Sequence, residues 1–154
     1  MKWFLKCIGR DYVTFSGRAR RAEYWYFTLF AVILLMIAAT LDAICFGEIN
    51  KWFYGMTGLF LLLPSIAVLI RRLHDIGRSG VIVVWYYVAT IVWAFVTVAV
   101  LIASIGGPTT GFLVLLMGGI LVFLVWSIVF LVWCCTPGTP GPNEYGPDPK
   151  AVEE

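Results

Sequence analysis

Residues 112–135 read FLVLLMGGILVFLVWSIVFLVWCC, twenty-four positions without a charged side chain. A bilayer's hydrocarbon core, about 30 Å thick, is crossed by about 20 helical residues, so this stretch is long enough to span it. Three further runs match it: residues 24–46, 52–70 and 81–105. The only charge inside the four runs is Asp42, close to the C-terminal end of the first. Backbone groups in lipid must be bonded internally, which makes the runs helices. Barrel strands are about half as long and alternate in polarity, so they fit poorly. The expected fold is all-α, an integral membrane four-helix bundle.

The rest of the composition agrees. Of 154 residues, 61% are hydrophobic and 13% charged, against about 45–50% and about 25% in a soluble domain. So few charges cannot coat a water-soluble surface. A secreted disulfide scaffold, a disordered chain and a conventional soluble enzyme are all excluded. The net charge of +2 is too small to imply nucleic-acid binding. Where the basic residues sit is more informative. Lys2, Lys6, Arg10, Arg18, Arg20 and Arg21 precede the first run, Arg71, Arg72 and Arg78 separate the second from the third, and Lys150 follows the fourth. Only Lys51 falls in the first loop, and residues 106–111 carry no charge. Retained positive segments are cytoplasmic, so both termini are expected on the inner side of a bacterial inner membrane.

The whole of 1–154 reads as one membrane domain. Lys6 and Arg10 interrupt any signal-peptide core. Residues 1–15 instead read as a short interfacial helix, with Met1, Phe4, Leu5, Ile8, Tyr12 and Phe15 on one face and Lys2, Lys6, Arg10 and Thr14 on another. Trp3 and Gly9 are its imperfections. Tyr24, Trp25, Tyr26, Trp52, Tyr54, Trp85, Tyr86 and Tyr87 lie near span ends, at head-group depth. Pro64 removes a backbone donor and is expected to kink the second span. Gly55, Gly58, Gly118 and Gly119 are places where backbones can approach closely. Residues 136–154 form a cytoplasmic tail, and five prolines between 137 and 149 leave it extended chain and turns.

Three polar segments hold nearly all the unusual chemistry. Residues 15–26 carry Arg18, Arg20, Arg21 and Glu23; Glu23 suits the positive end of the first helix. Residues 70–80 carry Arg71, Arg72, His74, Asp75 and Arg78, with Gly77 placed to end the second helix and Ser79 to cap the third. Residues 136–149 hold Asn143 and Tyr145, expected to dock the tail over His74. The topology puts all three segments at one membrane face. Six arginines would then surround Glu23, His74 and Asp75. Ion pairing with positive-inside anchoring is one reading; a seat for the phosphate of an anionic lipid head group is the other, because forked guanidinium groups suit phosphate oxygens.

Other chemistries are weakly supported. His74 is the only histidine, adjacent His and Asp seldom orient one another as a base and its partner do, and no serine or cysteine motif accompanies them. A zinc site would need three thiolates beside that histidine. No catalytic residue, cofactor or metal is therefore expected. Cys7, Cys134 and Cys135 fall on the reducing side and Cys45 has no partner near it, which argues against disulfides; acylation of the adjacent pair is the minor alternative. A polar solute pathway needs buried charge at mid-membrane. The spans offer only Asp42 and scattered hydroxyls: Thr28, Thr40, Thr57, Ser65, Thr90, Thr97, Ser104 and Ser127. Most of these are expected to bond their own helix.

Three strings, GRARRAEYW (17–25), RRLHDIGRSG (71–80) and GTPGPNEYGPDP (138–149), stand in that order around the spans. Together they resemble the YhaH-like bacterial family designated domain of unknown function 805 (DUF805). The first motif falls on Gly17, Arg18, Arg21, Glu23, Tyr24 and Trp25. The second falls on Arg71, Arg72, Leu73, His74, Asp75, Gly77, Ser79 and Gly80, and the third on Gly141, Pro142, Asn143, Tyr145, Gly146 and Pro147. Arg20 and Val81 depart from the family's usual small hydroxyl and aromatic residues. The resemblance implies a small inner-membrane protein and supplies no reaction. The expected role is structural or accessory, binding anionic lipid, a membrane-protein partner or a second copy. A small transporter or channel subunit is the alternative, and a head-group enzyme follows it.

Overall fold

The computed structural model describes residues 2–47, 50–105 and 110–151. Among the described residues five helices form: α1 (Lys2–Ile8), α2 (Arg21–Phe46), α3 (Trp52–Asp75), α4 (Val81–Ala103) and α5 (Thr110–Cys135). Among the described residues there is no β-strand, only an isolated bridge between Asn143 and Gly146. Helices α2 to α5 are each long and apolar enough to cross a membrane. Part of the loop expected at 106–111 lies outside the described residues. The chain divides into two compact units: residues 1–80 with 136–154, and residues 81–135.

In the first unit, α1, α2 and α3 pack around Phe4, Cys7, Phe27, Ala31, Leu61 and Val68. Phe4 stacks on Phe27 at 5.7 Å and meets Phe30 at 5.5 Å between ring centroids. The helix expected over residues 1–15 ends at Ile8, and of the apolar face read from 100° periodicity Phe4 is buried against α2 while Leu5 and Phe15 are exposed. Beyond α1 the chain continues along α3 until the Tyr12 hydroxyl donates to the Phe60 carbonyl at 2.6 Å. In an unbroken helix that carbonyl would accept from residue 64, but Pro64 has no N–H. The helix runs on through Pro64.

At the other end of the pair, Asp42 of α2 is buried and accepts from the Phe53 amide at 2.9 Å and the Tyr54 amide at 2.8 Å. Lys51, at the N-cap position of α3, makes no capping bond of its own. Asp42 therefore supplies from a neighbouring helix what an N-cap side chain ordinarily supplies from its own.

Helix α3 extends past the apolar run at 70 to include Arg71–Asp75. Gly77, at φ +73°, ends it: its amide bonds the His74 carbonyl at 3.1 Å and the Arg78 amide bonds the Leu73 carbonyl at 2.9 Å. This is a Schellman motif, with glycine in the left-handed position that side chains disfavour.

In the second unit, α4 and α5 meet closely at Gly119. A Cβ there would lie 2.0 Å from Trp93 Nε1, so only glycine fits. Gly118 and Gly55 face open space, so the close approach expected at both is confined to Gly119 and, loosely, Gly58 against Leu35. Tyr86 packs edge-on against Phe130 at 5.1 Å. Seven of the eight span hydroxyls donate to the carbonyl four residues back.

Candidate functional site: a polar cap on the first unit

The three polar segments meet at one end of α2 and α3, in two linked groups of charges. Arg18 joins all three. Its Nε donates to Asp75 Oδ1 at 3.0 Å, Nη1 to the Gly141 carbonyl at 2.6 Å and Nη2 to the Thr139 carbonyl at 2.6 Å. Arg72 donates to the other Asp75 oxygen, Oδ2, and to the Thr136 carbonyl. Both guanidinium groups and the carboxylate are buried. Arg18 takes one carboxylate oxygen and Arg72 the other, and the backbone carbonyls accept further guanidinium hydrogens, which lets two cations share one anion away from water.

The tail is shaped to reach this group. A Cβ on Gly138 would lie 2.1 Å from Asp75 Oδ2. Next to it, the Thr139 amide donates to the Asp75 carbonyl at 2.8 Å. Asn143 Nδ2 donates to the His74 carbonyl and to Thr139 Oγ1, both at 3.0 Å, while its Oδ1 accepts from the Tyr145 amide at 2.9 Å. The Tyr145 ring then lies flat on the His74 ring, centroids 4.0 Å apart and planes 4° apart. His74 Nδ1 is 3.1 Å from the Gly17 carbonyl. A carbonyl only accepts, so the proton sits on Nδ1. Asp148 closes the turn, accepting from the Gly141 and Lys150 amides. The Lys150 amide bond, the Gly141 amide bond and the Arg18 charge hold its carboxyl below the usual range.

The second group is a balanced quartet. Glu23 accepts from Arg71 Nη1 at 2.5 Å and from Lys6 Nζ at 2.9 Å. Asp11 faces the same two cations, at 3.1 Å from Arg71 Nη1 and 3.4 Å from Lys6 Nζ. Cys7 lies among them, its Sγ 3.7 Å from Glu23 Oε1 and 3.6 Å from Arg71 Nη2. Burial, and then the Glu23 charge, push the Cys7 thiol up to about 11. Ala19 links the two groups: its amide donates to the Arg71 carbonyl at 3.0 Å, and its own carbonyl accepts from Arg72.

Of the residues singled out from sequence, Arg18, Glu23, Arg71, Arg72, His74, Asp75, Asn143 and Tyr145 come together here. Arg20 reaches the tail, donating to the Pro149 carbonyl at 2.9 Å. Arg21 and Arg78 are exposed. Sequence reasoning missed Lys6 and Asp11 as members of the quartet, and Thr136, Gly138, Thr139 and Asp148 as parts of the tail's seat. Two carboxylates, Asp11 and Glu23, among six cations before residue 24 were the available signal for the quartet. The tail carbonyls left none, because a carbonyl acceptor has no sequence identity.

The profile of the family described as "Protein of unknown function (DUF805)" matches residues 12–147. The chain is 35% identical over 153 residues to "Inner membrane protein YhaI" of Escherichia coli (strain K12), covering 97% of each. It is 36% identical over 156 residues to "Inner membrane protein YhaH" of the same strain, covering 97% of this chain and 98% of that one. A more distant relative, "Uncharacterized protein YiiR", is 25% identical over 159 residues, with 91% and 88% covered. No solved structure matches.

Proposed function

The chain belongs to the DUF805 family, and we propose that it is an integral inner-membrane protein of accessory role whose polar cap, at the cytoplasmic face, binds anionic lipid head groups. The observation that carries this reading is how the cap distributes its charge. Glu23, Asp11 and Asp75 are spent inward on Lys6, Arg71, Arg18 and Arg72. Among the described residues, Lys2, Arg10, Arg21, Arg78 and Lys150 are exposed at the same end and Glu144 is the exposed carboxylate, with Arg10 Nε 3.5 Å from Asp11. Arg18, Arg71 and Arg72 belong to the frame, and the exposed cations make the lipid contacts.

Positive-inside asymmetry supports a cytoplasmic location for this end and both termini. In that orientation α1 enters the interface from the inner side, with Lys2 toward the head groups and Tyr12 deeper. Basic side chains near an anionic leaflet each contribute about 1 kcal/mol of attraction. The relatives named as inner-membrane proteins support the location.

The test is mass spectrometry of lipid retained by the detergent-purified chain. Enrichment of phosphatidylglycerol or cardiolipin over phosphatidylethanolamine, relative to the source membrane, is expected. Retention in simple proportion to the membrane's composition contradicts the proposal, and a co-purifying protein in its place identifies a protein-docking cap.

A further inference from the structure

We propose that the tail covers a concealed phosphate site: the Thr139 and Gly141 carbonyls hold the Arg18 fork in place of two phosphate oxygens, and lifting the tail opens the fork to them. Arg18 Nη1 and Nη2 each donate at 2.6 Å, to carbonyls two residues apart in the tail. A planar guanidinium presents its N–H groups in pairs, and two oxygens of one phosphate fit such a pair. Here two uncharged carbonyls fill that role. Asp75 takes the Nε side of Arg18 at 3.0 Å and is shared with Arg72. Two guanidinium groups thus divide one carboxylate, and an ionised oxygen bonds such a fork more strongly than a neutral carbonyl does. The site is separate from the exposed cations assigned above to lipid contact.

The hold on the tail is polar and shallow. Among the described residues 136–151 none is buried, whereas Arg18, Arg72 and Asp75 beneath them are. Asn143 on the His74 carbonyl and the Tyr145 ring on the His74 ring are the tail's further holds. Segments with few buried apolar contacts open locally at small cost. Gly138 is where the cover fits most tightly, since a Cβ there would lie 2.1 Å from Asp75 Oδ2, an atom that Arg72 fixes. While the tail is down, the affinity of the site is discounted by the fraction of molecules in which it is open. Arg18 lies just before α2 begins at Arg21, within reach of a phospholipid phosphate and of a free phosphate ion alike.

The experiment uses the full chain in two arms: calorimetric titration with inorganic phosphate in detergent, and native mass spectrometry in nanodiscs of phosphatidylglycerol mixed with phosphatidylcholine. Gly138→Val forces the tail off Asp75 and is expected to bind at least about tenfold more tightly than wild type in one arm. Asn143→Ala/Tyr145→Ala loosens the tail without a clash and is expected to shift binding in the same direction. Gly138→Val/Arg18→Lys keeps the charge but loses the fork, so it is expected to lose the gain and keep the wild-type baseline of lipid retention. A gain with inorganic phosphate supports a site for the free ion, and a gain confined to phosphatidylglycerol supports a lipid head-group site. No gain in either loosened variant overturns the proposal, as does a gain that survives Arg18→Lys. The wild-type baseline reports on the exposed cations, so failure of the concealed site leaves the proposed function standing.

Discussion

Tyr12 donates its hydroxyl to the Phe60 carbonyl at 2.6 Å, the acceptor that Pro64 deprives of its helical donor. The rings of Tyr12 and Phe60 are also in contact, 5.4 Å between centroids. A defect written into α3 is thus repaired by the segment that follows α1. Phe60 lies midway between Trp52 and Ile70, so the repair reaches well down the helix.

Tyr12→Phe keeps the ring contact and removes the hydroxyl. It is expected to cost about 1–3 kcal/mol, the penalty for leaving a desolvated carbonyl unpaired. In a Pro64→Ala background the helix supplies its own donor, and the same change is expected to cost little. Unfolding measured in detergent for both singles and the double closes the cycle. Equal costs in the two backgrounds would show that the Tyr12 bond does not compensate for Pro64.

Asp42→Ala is expected to fray the first turn of α3, at a cost of about 0.5–2 kcal/mol. Hydrogen exchange at the Phe53 and Tyr54 amides should accelerate, with little change beyond the next turn. Unchanged exchange at both amides would remove Asp42 as the cap.

Glu23→Gln leaves Arg71 and Lys6 with Asp11 as their shared anion. Breaking one partner out of a buried ion network costs about 3–5 kcal/mol. Replacing Glu23 and Arg71 together by Leu and Met is expected to recover most of that loss, because no charge is then stranded. Thermal unfolding of the single and double variants measures both.

The Cys7 thiol carries a pH signature. Its folded value of about 11 against an ordinary 9.0 leaves about a hundredfold less thiolate at pH 8. Cys7 is therefore expected to resist a small thiol reagent that modifies Cys45 and Cys135 readily. A raised value means the folded state holds its proton longer than the unfolded one. The contribution to stability is present below about 9 and is lost as pH rises toward about 11. Glu23→Gln removes a charge that raises the value, so it should bring reactivity to lower pH.

Much of this architecture was legible because lipid imposes simple rules. Uncharged runs of the right length marked the four long helices, and Gly77 marked the end of α3 through the one conformation it favours. The motif residues Arg18, Glu23, Arg71, Arg72 and Asp75 were picked out as a group, and they do converge. The partition among them was not legible. Which arginine turns inward depends on reach and on acceptors such as the Gly141 and Thr139 carbonyls, which any residue can provide. Asp42 read as a lone charge in a span because its partners are backbone amides of a different helix. Tyr12 read as one more apolar-face residue, since nothing local ties it to a proline far along the chain.

The central claim is that three separated segments close into one cap at the cytoplasmic face, and single-cysteine accessibility in intact cells tests it most directly. Asn50→Cys, Ser79→Cys and Glu144→Cys, each in a background without the native cysteines, are exposed to a membrane-impermeant maleimide. Asn50 is expected to label in intact cells, with Ser79 and Glu144 labelling only after permeabilisation. Labelling of Ser79 or Glu144 in intact cells, at a rate matching Asn50, would contradict the account.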